Sequence, residues 1–270
     1  LRAKWGKVSI SKSMDGEVSE QGDPIMKVYT SNTSTDYHSS TYKSKITSIV
    51  TKSNTEIPAT AIESWDVSAA GDGSVVAYIE DDGRGTGTYK VTIGGQGGII
   101  ANSNSSYLFY NFSSLESIDL TYLDTSQVTD MSSMFYLCSS LTNLNLSGFN
   151  TSNVVNMQWM FNRCNSLTIL DLSHFNTSNV TDMQFMFSYC SSLTSLDLSG
   201  FNTSKVTGMS DMFYYCRSLR TLDMRTAEFN ATSYADMFSR TSELTVTVKD
   251  ETARSWVQDK LGSNGTAVIA

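Results

Sequence analysis

The residues best suited to chemistry in this 270-residue chain are four cysteines at a regular spacing. Cys138, Cys164, Cys190 and Cys216 are each 26 residues apart, and cysteine sulfurs bind zinc or form disulfides. Equivalent positions in stacked repeats lie about 4.8 Å apart, which separates the outer two cysteines by roughly 14 Å. A zinc ion holds every sulfur at about 2.3 Å. The spacing therefore excludes a four-cysteine zinc site.

Disulfides between neighbouring cysteines are harder to dismiss, because a Cα separation near 4.8 Å lies within the range of roughly 4.4 to 6.8 Å that a disulfide allows. Parallel side chains, however, keep their Cβ atoms near that same separation rather than the usual ~3.8 Å. The equivalent position one repeat earlier is the apolar Phe112. We therefore predict buried free thiols that pack as small hydrophobic groups.

Catalytic chemistry has few candidate residues. The two histidines are His38, in a Ser/Thr-rich segment, and His174, just before an N-T-S tripeptide. A Ser-His-Asp arrangement is recognised by its geometry, and no motif here points to one. The glycine-rich loops 83–87 and 94–98 match neither G-x-G-x-x-G nor a loop ending in G-K-S/T, so we interpret them as turns. We predict a protein that is not an enzyme and holds no metal or cofactor.

Acidic residues form a second recurring set. Asp171, Asp197 and Asp223 occupy the outward position between the last two leucines of each repeat, as do Asp119 and Asn145. On a stacked sheet face these side chains would form a ladder in which like charges repel. The ladder is either a solvated strip with pKa values raised in places or a site that calcium neutralises through oxygen ligands. We favour the solvated strip and keep the three repeat aspartates as candidate binding residues.

Aromatic residues point away from the apolar stripe in the second half of the repeats. Trp159 and Phe185 are equivalent positions on adjacent repeats, as are Tyr189 and Tyr215, and Arg163 belongs to the same face. These residues predict an exposed patch of the kind that marks interaction sites, and planar rings also suit sugar stacking. The alternative is that the rings pack locally over the edges of the repeats.

The unit that positions all of these residues recurs nearly unchanged. An L-x-x-L-x-L frame is followed by phenylalanine, N-T-S and M-x-x-M-F-x-x-C. Leu144 and Leu146 alternate with asparagines, which predicts one short half-buried strand per repeat and a narrow parallel sheet. The spacing of the second half predicts a helical turn or two, with an apolar stripe formed by Val128, Met131, Met134, Phe135 and Cys138.

Residues 167–192 show the repeat in full, as L-x-x-L-x-L-S-x-F-N-T-S-x-V-T-x-M-x-x-M-F-x-x-C-x-S. This block resembles the BspA-like leucine-rich repeat of bacterial surface proteins, strongly over residues 106–224. W-D-V-S at 65–68 and I-G-G-Q-G-G at 93–98 resemble the segment that precedes such arrays. The resemblance implies display at the cell surface, adhesion and partner binding, with no catalytic residues in the repeat.

We therefore predict an α/β solenoid, a right-handed coil of leucine-rich-repeat type with a narrow parallel β-sheet and short helices. A β-rich N-terminal cap and a helical C-terminal cap would close its ends. The predicted units are a β-rich segment of uncertain role at 1–57, an N-terminal cap with a β-hairpin at 58–105, the repeats at 106–248 and the C-terminal cap at 249–270. The cap helix would begin at Asp250 and stop at Gly262.

Composition limits the partners. The net charge of -8 and pI near 4.7 oppose nucleic-acid binding, which needs a basic stripe. The sequence contains no run of 18 or more apolar residues, so we expect no membrane-spanning segment in it. We expect any secretory signal and anchor to lie outside this sequence. We predict an extracellular, bacterial surface module that binds a host or bacterial surface protein for adhesion. A rigid spacer in a larger surface protein and a glycan-binding module are the alternatives.

Overall fold

The computed structural model describes residues 9–12 and 18–270. Its strands are β1 (Ser9–Lys12), β2 (Val18–Gln21), β3 (Ile46–Lys52), β4 (Glu63–Asp66), β5 (Val75–Asp81), β6 (Tyr89–Gly95), β7 (Ile99–Ile100), β8 (Ser117–Asp119), β9 (Leu123–Asp124), β10 (Ser195–Asp197), β11 (Thr221–Asp223), β12 (Leu244–Val248) and β13 (Gly265–Ile269). The described part contains one α-helix, α1 (Glu251–Leu261), and short 3-10 turns at Asp36–His38, Lys43–Lys45 and Gly262–Asn264.

The strands form separate sheets. The largest has the order β4-β5-β6-β3-β8, in which β4, β5 and β6 are antiparallel neighbours and β3 pairs in parallel with both β6 and β8. A parallel sheet, β10-β11-β12-β13, lies at the other end of the chain, and β7 pairs with β9. β1 pairs with β2 in antiparallel register. The N-terminal segment thus supplies β3, which joins the predicted hairpin region to the first repeat.

The hairpin predicted at Val75 to Glu80 and Tyr89 to Gly94 is confirmed. β5 and β6 pair in antiparallel register from Val75 opposite Gly95 to Asp81 opposite Tyr89. The loop between them is held by Asp82, whose carboxylate accepts hydrogen bonds from the hydroxyls of Thr47 (2.9 Å) and Thr88 (2.6 Å). Of the predicted segment 1–57, residues 1–8 and 13–17 lie outside the described residues, and the division into four units stays a prediction.

The second half of each repeat folds into consecutive tight turns. In one copy, the N–H groups of Met134, Tyr136 and Cys138 donate to carbonyls three residues back, at 3.1 to 3.2 Å. The intervening N–H groups donate to carbonyls 25 residues further along, in the next copy, at 2.9 to 3.0 Å; they belong to Met131, Ser133, Phe135 and Leu137. Backbone donors therefore alternate between closing a turn and joining neighbouring copies, and each has a partner.

Left-handed residues set this alternation. Ser133 (φ 56°) and Leu137 (φ 66°) lie in the left-handed region, four residues apart, and later copies repeat the pair at Trp159 (φ 63°) and Arg163 (φ 60°). An α-helix needs right-handed dihedrals throughout and N–H bonds to the carbonyl four residues back. A left-handed residue at every fourth position turns its N–H toward the neighbouring copy instead, so a helix cannot propagate.

The leucine half pairs only in places. β8, β10 and β11 are three residues long, and between the copies at 143 and 169 the pairing is a single isolated bridge, Asn143 opposite Ile169. Parallel bridges also join successive copies at the start of each turn segment, for example Asp130 opposite Asn156 and Asn156 opposite Asp182. A continuous parallel sheet along the repeats is therefore absent from the described residues.

These observations correct the predicted fold class. The α/β solenoid, a right-handed leucine-rich-repeat-type coil with a narrow parallel β-sheet, short helices, a β-rich N-terminal cap and a helical C-terminal cap, is wrong. The described chain has mixed and separate sheets and a single α-helix, none of it a coil of one strand and one helix per repeat. The helical prediction failed because apolar spacings of 3 and 4 fit consecutive turns as well as a helix.

The core runs through all copies as columns of identical side chains. Buried phenylalanine rings follow one another with centroids 5.4 to 5.8 Å apart and nearly parallel planes in most pairs; they are Phe109, Phe135, Phe161, Phe187, Phe213 and Phe238. The repeat leucines and methionines are buried beside them. Because no copy buries its apolar side chains alone, this shared core holds the copies together.

The C-terminal elements agree with their sequence signals. Asp250 caps α1 by accepting the Ala253 N–H at 2.8 Å, and Gly262 follows the last helical residue with φ 53°. β13 forms the outer strand of its sheet beside β12. The helix and the edge strand predicted for this region are both present.

Candidate recognition surface

The five predicted surface residues share one backbone feature. Trp159, Arg163, Phe185, Tyr189 and Tyr215 all lie in the left-handed region, with φ between 58° and 63°. Each donates its N–H to a carbonyl of the next copy, at 2.8 to 3.0 Å. The turn geometry therefore fixes the direction in which these side chains leave the backbone. All five are half-buried.

Trp159 and Phe185 form the tightest ring pair on this surface. Their centroids are 4.0 Å apart and their planes differ by 16°. Tyr136 lies on the other side of Trp159, with centroids 5.6 Å apart. The three rings come from successive copies, so the stacking of copies places them side by side.

A second line of side chains lies at the left-handed position four residues further on in each copy, at Arg163, Tyr189 and Tyr215. The Arg163 guanidinium lies 4.3 Å from the centroid of the Tyr189 ring, and Tyr189 lies 4.8 Å from Tyr215. Arg217 covers Tyr215 at 3.8 Å. Guanidinium groups over aromatic rings are favourable contacts that also leave charged edges for a partner. We call these residues and the three rings described above the aromatic row. Its members are Tyr136, Trp159, Arg163, Phe185, Tyr189 and Tyr215.

Both readings of the aromatic residues have a counterpart in this geometry. The rings pack on one another, as the local-packing alternative expected, yet each keeps part of its surface accessible. Their role in binding stays a prediction.

The aspartate strip is held locally. Asp171, Asp197 and Asp223 each accept a hydrogen bond from the N–H two residues further on, at 2.8 to 3.1 Å. Asp197 and Asp223 are opposite each other in the parallel pair β10 and β11, and Arg225 forms an ion pair with Asp223. These carboxylates therefore have partners within their own turns.

Hydrogen bonds and one ion pair lower the pKa values of three aspartates in this strip, Asp119, Asp171 and Asp223. The N–H and hydroxyl of Ser173 lower the pKa of Asp171, and Arg225 lowers the pKa of Asp223. The hydroxyl and N–H of Thr121 do the same for the pKa of Asp119. At these positions hydrogen bonds to the charged form outweigh the desolvation that opposes it. Within the described residues, no group of three or more His, Cys, Asp or Glu side chains could hold a metal ion.

The four cysteines are buried and free, as predicted. Each thiol donates to the carbonyl of a phenylalanine 29 residues earlier, at 3.0 to 3.2 Å. Burial raises the pKa of Cys138 and of Cys216 to about 12 and raises those of Cys164 and Cys190 well above their usual value. A thiol that stays protonated is a poor nucleophile and a poor metal ligand.

Both histidine rings contact a backbone carbonyl. Both ring nitrogens of His38 have partners: Nδ1 contacts the carboxylate of Asp36 at 3.2 Å, and Nε2 contacts the carbonyl of Leu108 at 3.0 Å. The side chain is buried against Tyr29 and Tyr37. His174 contacts the carbonyl of Leu146 through Nε2 at 2.6 Å. His38 thus anchors the N-terminal segment to the first repeat.

The sequence reasoning missed four residues of this surface: Tyr107, Tyr110, Tyr136 and Gln158. They line a cleft together with Trp159. Tyr107 occupies the left-handed position of the first copy (φ 59°). That copy matches the repeat only loosely, so its tyrosines could have been found by extending the 26-residue register from Ser133 and Trp159 backwards.

Comparison with known proteins identifies the repeat region. The family described as "Mycoplasma protein of unknown function, DUF285" matches residues 103–221 and 169–252, which together cover more than half of the chain. The chain belongs to this family. Membership is consistent with a bacterial surface-type protein, and no BspA or leucine-rich-repeat family is confirmed. No curated protein and no solved structure matches the chain.

One further observation concerns membranes. None of the helices in residues 9–12 and 18–270 is long and apolar enough to cross a bilayer.

Proposed function

We propose that this chain is a non-catalytic recognition module, displayed on a bacterial surface, that binds a partner protein through the aromatic row. The observation that best supports this proposal is the Trp159–Phe185 pair. Both residues have left-handed backbone, and their ring centroids are 4.0 Å apart. Adhesion is the role that such a module would serve. The proposed display outside the cell is supported by the family match and by the resemblance of the repeat sequence to the BspA-like repeat of bacterial surface proteins.

The residue types at these positions support binding over spacing. Left-handed backbone favours glycine, asparagine and aspartate, and for a bulky side chain it costs about 1 to 2 kcal/mol. Equivalent positions carry Asn111, Asp211 and Asp236, which suit that backbone, and also Ser133, Leu137 and Arg240. Trp159, Phe185, Tyr189 and Tyr215 nevertheless place rings on it. A rigid spacer would have no use for rings at the positions where they are least favourable.

The same residue types dominate the energetics of protein interfaces. Trp, Tyr and Arg are enriched among the residues whose truncation costs 2 kcal/mol or more of binding energy. The aromatic row contains one Trp, three Tyr and one Arg, and its guanidinium already lies against a ring. Little side-chain freedom remains to be lost on binding, which favours affinity.

The acidic strip is the weaker candidate surface. Its carboxylates are engaged by N–H groups two residues further on, and Asp223 is paired with Arg225. A protein partner would have to replace these local bonds.

The test is binding of the purified chain to an array of purified host matrix and cell-surface proteins, with and without calcium. We expect saturable, calcium-independent binding to at least one protein, reduced by at least roughly tenfold in Trp159→Asn and Phe185→Asn. Asn suits left-handed backbone, so neither variant should lower the midpoint of thermal unfolding.

Asp211→Asn is the matched control. It changes an equivalent left-handed position without removing a ring, and it should bind as the unmodified chain does. Equal binding by Trp159→Asn, or no binding to any array protein, would overturn the proposal in favour of the spacer. Binding that requires calcium and is lost in Asp197→Asn would move the surface to the acidic strip.

A further inference from the structure

A cleft of about 240 Å³ lies at the N-terminal end of the aromatic row. Tyr107, Tyr110, Tyr136 and Trp159 supply its rings, and Ser132 and Gln158 supply polar side chains. These residues come from three successive copies. The volume is below the ~300 Å³ at which pockets for drug-sized ligands begin, so the cleft suits a ligand of one or two small rings.

The rings of the cleft meet at steep angles. Tyr107 and Tyr110 are nearly perpendicular, at 85° with centroids 5.4 Å apart. Tyr110 and Tyr136 meet at 57° and 5.4 Å, and Tyr136 and Trp159 at 41° and 5.6 Å. A ligand therefore meets ring faces and ring edges on different sides, and several phenol hydroxyls lie around it. Tyrosine and tryptophan combine an apolar body with a polar group in this way.

The polar groups of the cleft are unpartnered within the described residues. The side-chain amide of Gln158 makes no hydrogen bond there, whereas the equivalent Gln184 donates from Nε2 to Asp182 at 3.0 Å. The difference follows from sequence, because Asn156 stands where the next copy has Asp182. An amide with both donor and acceptor free, beside several hydroxyls, can recognise the hydroxyl groups of a ligand.

The lining carries no charged side chain. The nearby Lys43 lies over the rings of Tyr110 and Phe112, at 4.8 and 5.4 Å, on cation–π contacts. The lining itself therefore supplies no ion-pair partner, and the Lys43 ammonium is already held over the two rings. Its combination of ring faces, free hydroxyls and a free amide matches a neutral, hydroxyl-rich ring with an apolar C–H face.

We propose that this cleft binds one or two rings of a neutral sugar, with a C–H face against a tyrosine or Trp159 ring and hydroxyls bonded to Gln158 and Ser132. The site goes beyond the protein contact proposed for the aromatic row. Only Tyr136 and Trp159 belong to both surfaces, so the two can be tested separately.

The probe is a set of purified trisaccharides: neutral hexose, neutral N-acetylhexosamine and a sialylated one. Binding to the full chain is measured by isothermal titration calorimetry. We expect at least one neutral trisaccharide to bind saturably, with the sialylated one weaker. Gln158→Leu and Tyr107→Asn should each lower the affinity at least tenfold. Asn suits the left-handed backbone at 107, and Gln158 is partly exposed, so both variants should fold.

Gln184→Leu is the matched control, since it removes the same amide one copy later and should leave sugar affinity unchanged. Tyr215→Asn should weaken protein binding by the aromatic row and leave sugar binding intact, which separates the failure of one proposal from that of the other. No saturable binding of any neutral trisaccharide, preference for the sialylated one, or equal affinity in Gln158→Leu would overturn the sugar site. Loss of protein binding in Gln158→Leu without sugar binding would assign the cleft to the protein contact.

Discussion

The hydroxyl of Thr177 makes two hydrogen bonds to one residue of the next copy: it donates to the carbonyl of Asn202 at 3.0 Å and accepts the Asn202 N–H at 2.8 Å. Thr125, Thr151 and Thr203 do the same with the residue 25 positions further on. All four threonines are buried. One side chain thus replaces two missing backbone partners at each corner between copies.

Replacing Thr177 by Val should therefore destabilise the chain by about 1 to 2 kcal/mol, because two partly buried hydrogen bonds to the backbone of Asn202 are lost. Urea unfolding followed by circular dichroism measures the change. Thr177→Ser keeps the hydroxyl and should lose less than Thr177→Val. If the two variants were equally stable, the hydrogen bonds would not be what holds this corner.

The phenylalanine column predicts a larger loss. Phe161 lies between Phe135 and Phe187, with centroids 5.8 and 5.7 Å away, and is fully buried. Phe161→Ala should cost about 3 to 5 kcal/mol, from lost burial and the cavity left behind. Tyr122→Ala, at a 45% exposed ring, should change the free energy of unfolding by less than about 0.5 kcal/mol. A loss below 1 kcal/mol at Phe161 would mean that neighbouring copies close the gap.

Sequence periodicity located the core because burial repeats with the residue type. Met131, Met134 and Phe135 were each expected on the apolar stripe, and each is fully buried. The hairpin and α1 were also predictable, since turn glycines and an Asp cap act locally. The tight turns that replace the predicted helices of the repeat were not predictable. The left-handed residues that set them include Ser133 and Leu137, and neither is a glycine that would signal such a backbone.

The candidate surface was predictable only in part. Trp159, Phe185 and Tyr189 stood out because equivalent residues on adjacent repeats must lie side by side. The cleft depends on Tyr107 and Tyr110, in a copy that departs from the repeat, and on the free amide of Gln158, which a single Asn-to-Asp difference at the neighbouring position controls. Hydrogen-bond competition of this kind is decided in three dimensions.

The cysteines should be inert in the folded chain. Burial keeps all four thiols protonated, with the pKa of Cys138 and of Cys216 at about 12. Iodoacetamide at pH 8 should therefore add nothing to the native chain, because alkylation requires a thiolate. In denaturant it should add four groups, as read by intact mass. A single adduct on the native chain would show that one copy opens on the timescale of labelling.

The buried pair of Asp36 and His38 predicts a loss of stability in mild acid. Burial lowers the pKa of His38 below its usual 6.5, an effect that the bond to Asp36 only partly offsets. The unfolded chain then binds a proton more readily than the folded chain, so the free energy of unfolding falls as the pH drops through about 6.5. Burial also opposes the charge on Asp36, but hydrogen bonds from His38 and Lys27 outweigh it and lower the pKa of Asp36, so its contribution is lost only below about pH 4.

Urea unfolding at pH 7.5, 6.0 and 5.0 measures the effect of His38 on stability at pH values above the range in which Asp36 contributes. The unmodified chain should lose stability at each step below pH 7, since burial lowers the pKa of His38, Asp36 offsets this only in part and the positive charge of Lys43 adds to it. His38→Gln should start less stable, because it loses the ring contacts with Tyr29 and Tyr37, yet it should show a flatter dependence on pH over the same range. His174→Gln makes the same substitution at the other histidine and is the matched control. An unchanged slope in His38→Gln would place the acid sensitivity elsewhere in the chain.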